Sequence, residues 1–212
     1  MSRLIQVHPQ DPQDRLIEQV AEVIRQGGVI IYPTDTGYAV GWRMDDKGAT
    51  DRVRFMRGLD KHHHFTLACK DLSEISNYAR IDDPAYRVLR AHTPGPYTFI
   101  LRATKEVPKR LQHDKRKTIG IRVPDNTIAQ ALLSALGEPI QTTSVVLPDA
   151  TELGADPYEI HQTVGNQVDI VVDGGYCGNG VTTIVDLTEG VPVLVREGDG
   201  DASAFHREDS LF

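Results

Sequence analysis

The 212-residue chain has no apolar run long enough to cross a bilayer, and its opening stretch, MSRLIQVHPQDPQD, lacks the continuous apolar core of a signal peptide. No membrane partner and a cytoplasmic location follow as the default expectation. Cysteine is scarce: Cys69 and Cys177 are the only two, too distant in sequence for a metal-ligand spacing or a disulfide framework. Cys69 closes the apolar run FTLAC and reads as a buried thiol, while Cys177, in GGYCGNG, reads as an exposed loop thiol. Basic charge is in deficit, with 23 Lys+Arg against 30 Asp+Glu and a net charge of -7. A nonspecific nucleic-acid binder draws its affinity from phosphate neutralisation, so this balance argues against one, though not against a local basic patch. Standard nucleotide loops are absent too: there is neither a Walker sequence nor a Rossmann glycine fingerprint. No Ser-His-Asp or Cys-His pairing can be assigned by spacing.

What remains is an ordinary globular composition, 40% hydrophobic and 25% charged. It suits one domain over residues 1–212, with a core of about 14–200 and a frayed or loosely docked tail at 201–212. Asp11-Pro12 reads as the cap and first residue of a helix that Gly27-Gly28 ends. The β-branched run at 29–32 predicts a buried strand whose pairing Pro33 ends, and a second strand follows at 38–42. Apolar periodicity predicts further helices at 47–57, 71–78, 83–92, 126–136 and 156–164. Strands are predicted at 65–69, 97–102, 118–123, 140–146, 168–172, 182–187 and 192–195. The last strands follow one another with no helix between them. That pattern predicts an α/β fold with a twisted, open, mixed sheet and helices packed on it, rather than a purely parallel one.

Polar groups gather where these strands end: Thr34-Asp35-Thr36, residues 93–101, residues 118–124, residues 141–145, and residues 180–186 followed by 195–201. Strand ends of an open sheet form a natural ligand crevice, and hydroxyls with arginines suit phosphate or carboxylate oxygens. Each group taken alone also reads as an ordinary threonine-rich strand end. Two basic stretches, RVRFMRGLDK (52–61) and KRLQHDKRK (109–117), read either as RNA-contacting rims or as solvated surface. His62-His63-His64 reads as a polar loop: adjacent residues cannot all point one way, and no carboxylate stands at ligand spacing, so no metal ligand is assigned. Asp45-Asp46 reads as a turn and helix cap, and Asp186 as either a catalytic or a structural strand-end carboxylate.

The motifs YPTDTGYAVG, PGPYTFIL, TIGIRVP, TTS and TTIVDLTEGVPVLVREGDGD occur in the order found in the YrdC/YciO family of threonylcarbamoyl-adenylate synthases and their relatives. The chain resembles that family over residues 16–200, and RKTIGIRVP and FTLACKDLSEIS lean to the YciO branch. The resemblance implies a YrdC-like fold with a large concave cavity. Its synthases join L-threonine, bicarbonate and ATP, with a divalent metal, into threonylcarbamoyl-adenylate and pyrophosphate for tRNA modification. The fold is also described as binding double-stranded RNA. Carried over by position, the resemblance implies a threonine-like substrate held by Thr34, Arg122, Thr142 and Thr182, and a nucleotide held by Arg57, Thr118, Ser144 and Arg196. An RNA rim would use Arg52, Arg54, Lys61, Lys115, Arg116 and Lys117.

Two departures stand out. The synthases carry Lys-x-Arg and Ser-x-Asn; here the corresponding positions are Arg57 and Leu59, and Ser144 and Val146. Arginine offers a fork where lysine is a point charge, and leucine and valine offer no polar group at all. The resulting expectation is a nucleotidyltransferase-like protein that binds ATP, as substrate, and an amino acid, with weak or altered synthase activity. The magnesium requirement stays open. The alternative is a double-stranded RNA-binding protein, for ribosomal or transfer RNA, without that activity.

Overall fold

A computed structural model of the protein describes residues 2–146 and 154–206. An 11-stranded mixed sheet carries the architecture. Its strands are β1 (Arg3–Gln6), β2 (Val29–Thr34), β3 (Gly37–Arg43), β4 (Thr66–Ala68), β5 (Ala79–Arg80), β6 (Tyr97–Ala103), β7 (Thr118–Arg122), β8 (Ile140–Ser144), β9 (Ile170–Asp173), β10 (Thr183–Asp186) and β11 (Val193–Arg196). They run in the order β1-β9-β2-β3-β8-β4-β7-β6-β10-β11, with β5 paired to β6. Parallel pairs (β1·β9, β2·β9, β4·β7, β6·β10) stand among antiparallel ones, so the sheet is mixed, as the helix-free end of the chain predicts. Among the described residues no helix is long and apolar enough to cross a membrane.

The helices are α1 (Asp14–Arg25), α2 (Lys47–Arg57), α3 (Leu72–Tyr78), α4 (Asp83–His92), α5 (Thr127–Leu136) and α6 (Pro157–Val164). Their ends follow side-chain chemistry. Asp46 accepts the Ala49 amide at 2.8 Å to start α2, and Gly58 at φ 60 ends it. Asn126 and Gly137 bound α5 in the same way. α1 departs from expectation: Asp11-Pro12 does not start it. His8 Nδ1 accepts the amides of Gln10 and Asp11, closing a turn there, and the helix begins three residues later at Asp14.

Strand register divides the side chains between two unlike faces. Val29, Trp42, Gln141, Leu67, Ile121, Phe99 and Val185 share one face, because each is paired in register with the next. Buried apolar clusters join that face to α2 and α6 at one end and to α3 and α4 at the other. The opposite face carries Ala39, Gly41, Thr142, Ser144, Thr66, Gly120, Thr98 and Ile184, mostly small or hydroxyl-bearing. Among the described residues, helices cover only its β2–β9 end, where α1 and α5 lie over Ile30, Tyr32, Ile140 and Ile170. A hollow of small residues is left on the uncovered part.

Two local expectations need correction. Pro33 does not end β2, which continues to Thr34 with Pro33 opposite Tyr38. The Val29 amide points to Asp169, on the β9 side, so by strand alternation the missing Pro33 donor also faces that side, where pairing is confined to Ile30 and Ile31. Cys177 is half-buried rather than exposed, and burial pushes its thiol up to about 12 despite the Thr34 amide beside it. The tail is docked through Phe205: Phe205 is buried beside His92 and Tyr97, and Tyr97 Oη donates to the Asp201 carbonyl. Residues 207–212 of the expected frayed tail lie outside the described residues. β1 and β5 were not foreseen; each is short and lacks an apolar run.

Candidate functional site

The hollow encloses about 210 Å³ and is lined from seven strands and two loops. Its walls include Ala39 of β3, Thr142, Thr143 and Ser144 of β8, Thr66 of β4, Arg122 of β7, Thr98 of β6, Ile184 of β10 and Arg196 of β11. Thr182 precedes β10, and His63, His64 and Phe65 come from the α2–β4 loop. Five of the sequence-assigned positions therefore share one cavity: Arg122, Thr142, Thr182, Ser144 and Arg196.

The two arginines differ electrostatically. Arg122 is buried and paired with Asp35, the side chains being 8% and 10% exposed, and it also reaches Thr36 Oγ1 at 3.4 Å. Neither Arg122 Nε nor Asp35 Oδ2 has a hydrogen-bond partner, so each group keeps spare capacity in a buried place. Arg196 is exposed at the end of β11 and, among the described ion pairs, has no carboxylate. Its guanidinium donates instead to the Thr182 carbonyl (2.7 Å) and hydroxyl (3.1 Å), and desolvation lowers its pKa. Thr182 Oγ1 lies 2.9 Å from Thr98 Oγ1, which extends the chain of donors across the floor. Tyr32 Oη meets Thr142 Oγ1 at 3.0 Å from the helix-covered end of the same face.

The other assigned positions stand apart from the lining. Thr34 Oγ1 donates to the Gly37 carbonyl at 2.6 Å and shapes the turn that presents Asp35 and Thr36. Thr118 is buried at the far end of β7 from Arg122, in register with Arg102. Arg57 ends α2 half-buried with its Nε unpartnered; burial lowers its pKa, and its charge in turn lowers that of His63. Leu59 packs, with Met56 and Cys177, against the core around Trp42 and Phe65, and Val146 is half-buried beyond β8.

The basic stretches are partly spoken for. Arg52 turns to Asp169 (2.7 Å) and the Gln167 carbonyl, and Arg116 to Asp186 (2.5 Å) and Thr188. Asp186 is thus engaged as a structural carboxylate. Arg54 lies 5.5 Å over the Phe65 ring and 3.6 Å from Asp51. Lys117, at φ 53, folds back onto the Asp114 carbonyl, while Lys61 and Lys115 are exposed. The second stretch nonetheless meets the loop that follows the first, since the His64 and His113 rings lie 4.9 Å apart.

Sequence reasoning missed Thr66, Thr98, His63 and His64. The two threonines were legible in principle, because strand alternation puts them on the face of Thr142 and Ile184. Nothing local marks the histidines as cavity residues, since their loop is positioned by tertiary packing of Phe65. Among the described residues no group of three or more His, Cys, Asp or Glu forms a metal cage.

Residues 22–198 match the Sua5_yciO_yrdC family model, described as telomere recombination. Over 205 residues the chain is 53% identical to the uncharacterized protein YciO of Escherichia coli strain K12, covering 97% of this chain and 100% of that one. The crystal structure of E. coli YciO matches with a TM-score of 0.92, again over 97% and 100% of the two chains. A putative threonylcarbamoyl-AMP synthase of Methanocaldococcus jannaschii is 27% identical over 200 residues, 93% of each protein.

Proposed function

From the premise that the chain belongs to the Sua5/YciO/YrdC family, we propose that its cavity binds ATP and an amino acid and carries a weak or altered form of threonylcarbamoyl-adenylate synthesis. The reaction condenses the L-threonine amine with bicarbonate, losing water to give a carbamate, and joins that carbamate to the AMP part of ATP, releasing pyrophosphate; its product serves tRNA modification. The observation that carries the reading is the convergence of Arg122, Thr142, Ser144, Thr182 and Arg196 from three separate strands and a loop on one hollow. The distant relative named as a synthase supports the same class.

Roles follow from the charges. Arg196, with no carboxylate partner among the described residues, suits the nucleotide phosphates, with Ser144 and Arg57 as further donors. Arg122 suits the amino-acid carboxylate, which has to share it with Asp35. The Thr142 and Thr182 hydroxyls orient the amino acid, and Thr34 and Thr118 support the strand ends on which these groups stand. In the reaction the carbamate oxygen attacks the α-phosphorus while the bond to the pyrophosphate oxygen breaks. No side chain is assigned as a base, so rate enhancement rests on positioning and charge stabilisation. A divalent cation would be carried by the phosphate oxygens, because the described residues offer no cage of three or more His, Cys, Asp or Glu. Leu59 and Val146 lower the expected rate: removing one donor to transition-state charge typically costs about 10²–10³.

Pyrophosphate release with ATP, bicarbonate and L-threonine, read beside ATP-dependent melting, tests the proposal. Slow release with a clear melting shift is expected. Neither signal above background would end it.

A second reading, double-stranded RNA binding, is favoured by the contact of His64 with His113, which brings the second basic stretch against the loop that follows the first. Arg54, Lys61, Lys115 and Lys117 would then serve the phosphates, whereas Arg52 and Arg116 are engaged by Asp169 and Asp186. Steep loss of RNA affinity with salt is its signature.

A further inference from the structure

The cavity has a second basic group, separate from Arg122 and Arg196. His63 and His64 stand in its wall, on the loop that leaves α2 at Gly58 and enters β4 at Phe65. Asp60 Oδ1 accepts the His62 amide at 2.6 Å, and Phe65 is anchored in the core, so the loop is tied at both ends. The His63 ring meets Phe65 edge-on at 5.0 Å, and the His64 ring lies over His113 at 4.9 Å. His113 Nδ1 accepts the amides of Lys115 and Arg116, which leaves its Nε2 as the donor.

The charged surroundings of these imidazoles are mainly cationic. Arg57, Arg54 and His64 face His63, against Asp60 alone. His113, His62 and Arg54 face His64, against Asp114 alone. Arg54 Nε and Arg57 Nε are both buried without a hydrogen-bond partner. A cationic cluster with unused donors, opening on a cavity, favours a multiply charged oxyanion.

We propose that His63 and His64, backed by Arg54, Arg57 and His113, form a proton-dependent oxyanion subsite that takes the phosphate chain of the nucleotide and holds it more tightly as the two imidazoles take up protons. The inference rests on the nucleotide reading above and adds a regulation to it. In the free protein, desolvation and then neighbouring cations hold both imidazoles below their ordinary range, so they are neutral at pH 7 and act as N–H donors only. A bound anion offsets both effects and raises their pKa. The protonated form therefore binds better, and affinity rises as pH falls from the bound-state pKa to the free-state pKa.

The test is ATP affinity from pH 8 to pH 5.5 for the wild-type protein and for His63→Asn/His64→Asn, at constant ionic strength. Protonation of ATP itself is common to both and cancels in their ratio. The ratio of wild-type to variant affinity is expected to rise about tenfold over that range, one pKa unit of coupling being a factor of ten. A flat ratio with ATP still bound overturns this inference and leaves the nucleotide reading standing. No ATP binding to the wild-type protein at any pH overturns both.

Discussion

The Arg122 guanidinium faces the Asp35 carboxylate in the cavity wall, each side chain about nine-tenths buried and each keeping one polar atom unpartnered. The arginine assigned to a carboxylate ligand therefore already has one. A ligand carboxylate must share the guanidinium, or displace Asp35 from it.

Asp35→Asn separates these two consequences. Removing one partner of a buried pair leaves an uncompensated charge and typically costs about 3–5 kcal/mol. The amide retains part of the hydrogen bonding, so the lower end is expected, measured by denaturant unfolding. Affinity for L-threonine should rise in the same variant, because Arg122 is released for the ligand. Unchanged stability together with unchanged affinity would mean that the pair is not formed as described.

Arg196→Ala should weaken ATP binding by about 10–100-fold, the equivalent of one charged hydrogen-bond set of about 1.5–3 kcal/mol. Arg196→Lys should fall between the two, since it keeps the charge and loses the fork that grips Thr182. Equal affinities in all three proteins would place the phosphates elsewhere.

The fold was legible where period and caps agree. α2, α4 and α5 carry Asp or Asn caps before amphipathic runs, and they sit within a residue of expectation. α1 did not, because the Asp11-Pro12 pair that resembles a helix start is taken by a His8 turn. The site was legible in part. Arg122, Thr142, Ser144, Thr182 and Arg196 line the hollow, while Thr118, four residues from Arg122 on the same strand, does not. Sequence shows that Thr118 and Arg122 share a face; it does not show where along that face α5 and the loops leave the sheet open. The histidine loop was illegible for the same reason.

Leu59→Arg tests whether the altered signature is a simple loss. Leu59 packs against the core around Trp42 and Phe65, so an arginine there has to desolvate or displace its neighbours. A destabilisation of about 1–3 kcal/mol is expected, with no gain in pyrophosphate release. A stable variant with faster release would show that Leu59 adjoins the phosphates.

Asp186 supplies a pH-dependent prediction. Desolvation raises its pKa, but the Thr188 hydroxyl, Arg116 and the Thr188 amide outweigh it and hold the carboxyl below the ordinary carboxylate range. A depressed folded-state pKa gives stability that is fully present above the unfolded value and lost as pH falls through the folded one. Arg116→Ala should therefore be less stable than the wild-type protein at pH 7. The two unfolding curves should converge as the pH drops below about 4, where the unfolded carboxylate protonates. A difference that stays constant down to strong acid would assign the effect to packing of Arg116 rather than to the ion pair.

Gly120 and Gly41 lie on the same small-residue face and should respond oppositely to valine. A Cβ on Gly41 would come within 2.8 Å of the Tyr32 ring and 3.0 Å of Ile140 Cδ1, under the cover of α1 and α5. Gly41→Val should cost about 1–3 kcal/mol by overpacking. A Cβ on Gly120 meets Thr66 Oγ1 at 3.4 Å and Thr98 Cγ2 at 3.5 Å, close to ordinary contacts, and Gly120 is half-exposed between the buried Ile119 and Ile121. Valine also suits a strand, so Gly120→Val should fold with stability within about 1 kcal/mol of wild type. Its methyl groups would stand between Thr66 and Thr98, on the floor shared by both proposed substrates. ATP-dependent melting should therefore disappear in Gly120→Val while the unliganded melting temperature stays near that of the wild-type protein. If the melting shift survived in that variant, the ligand would have to bind away from this floor.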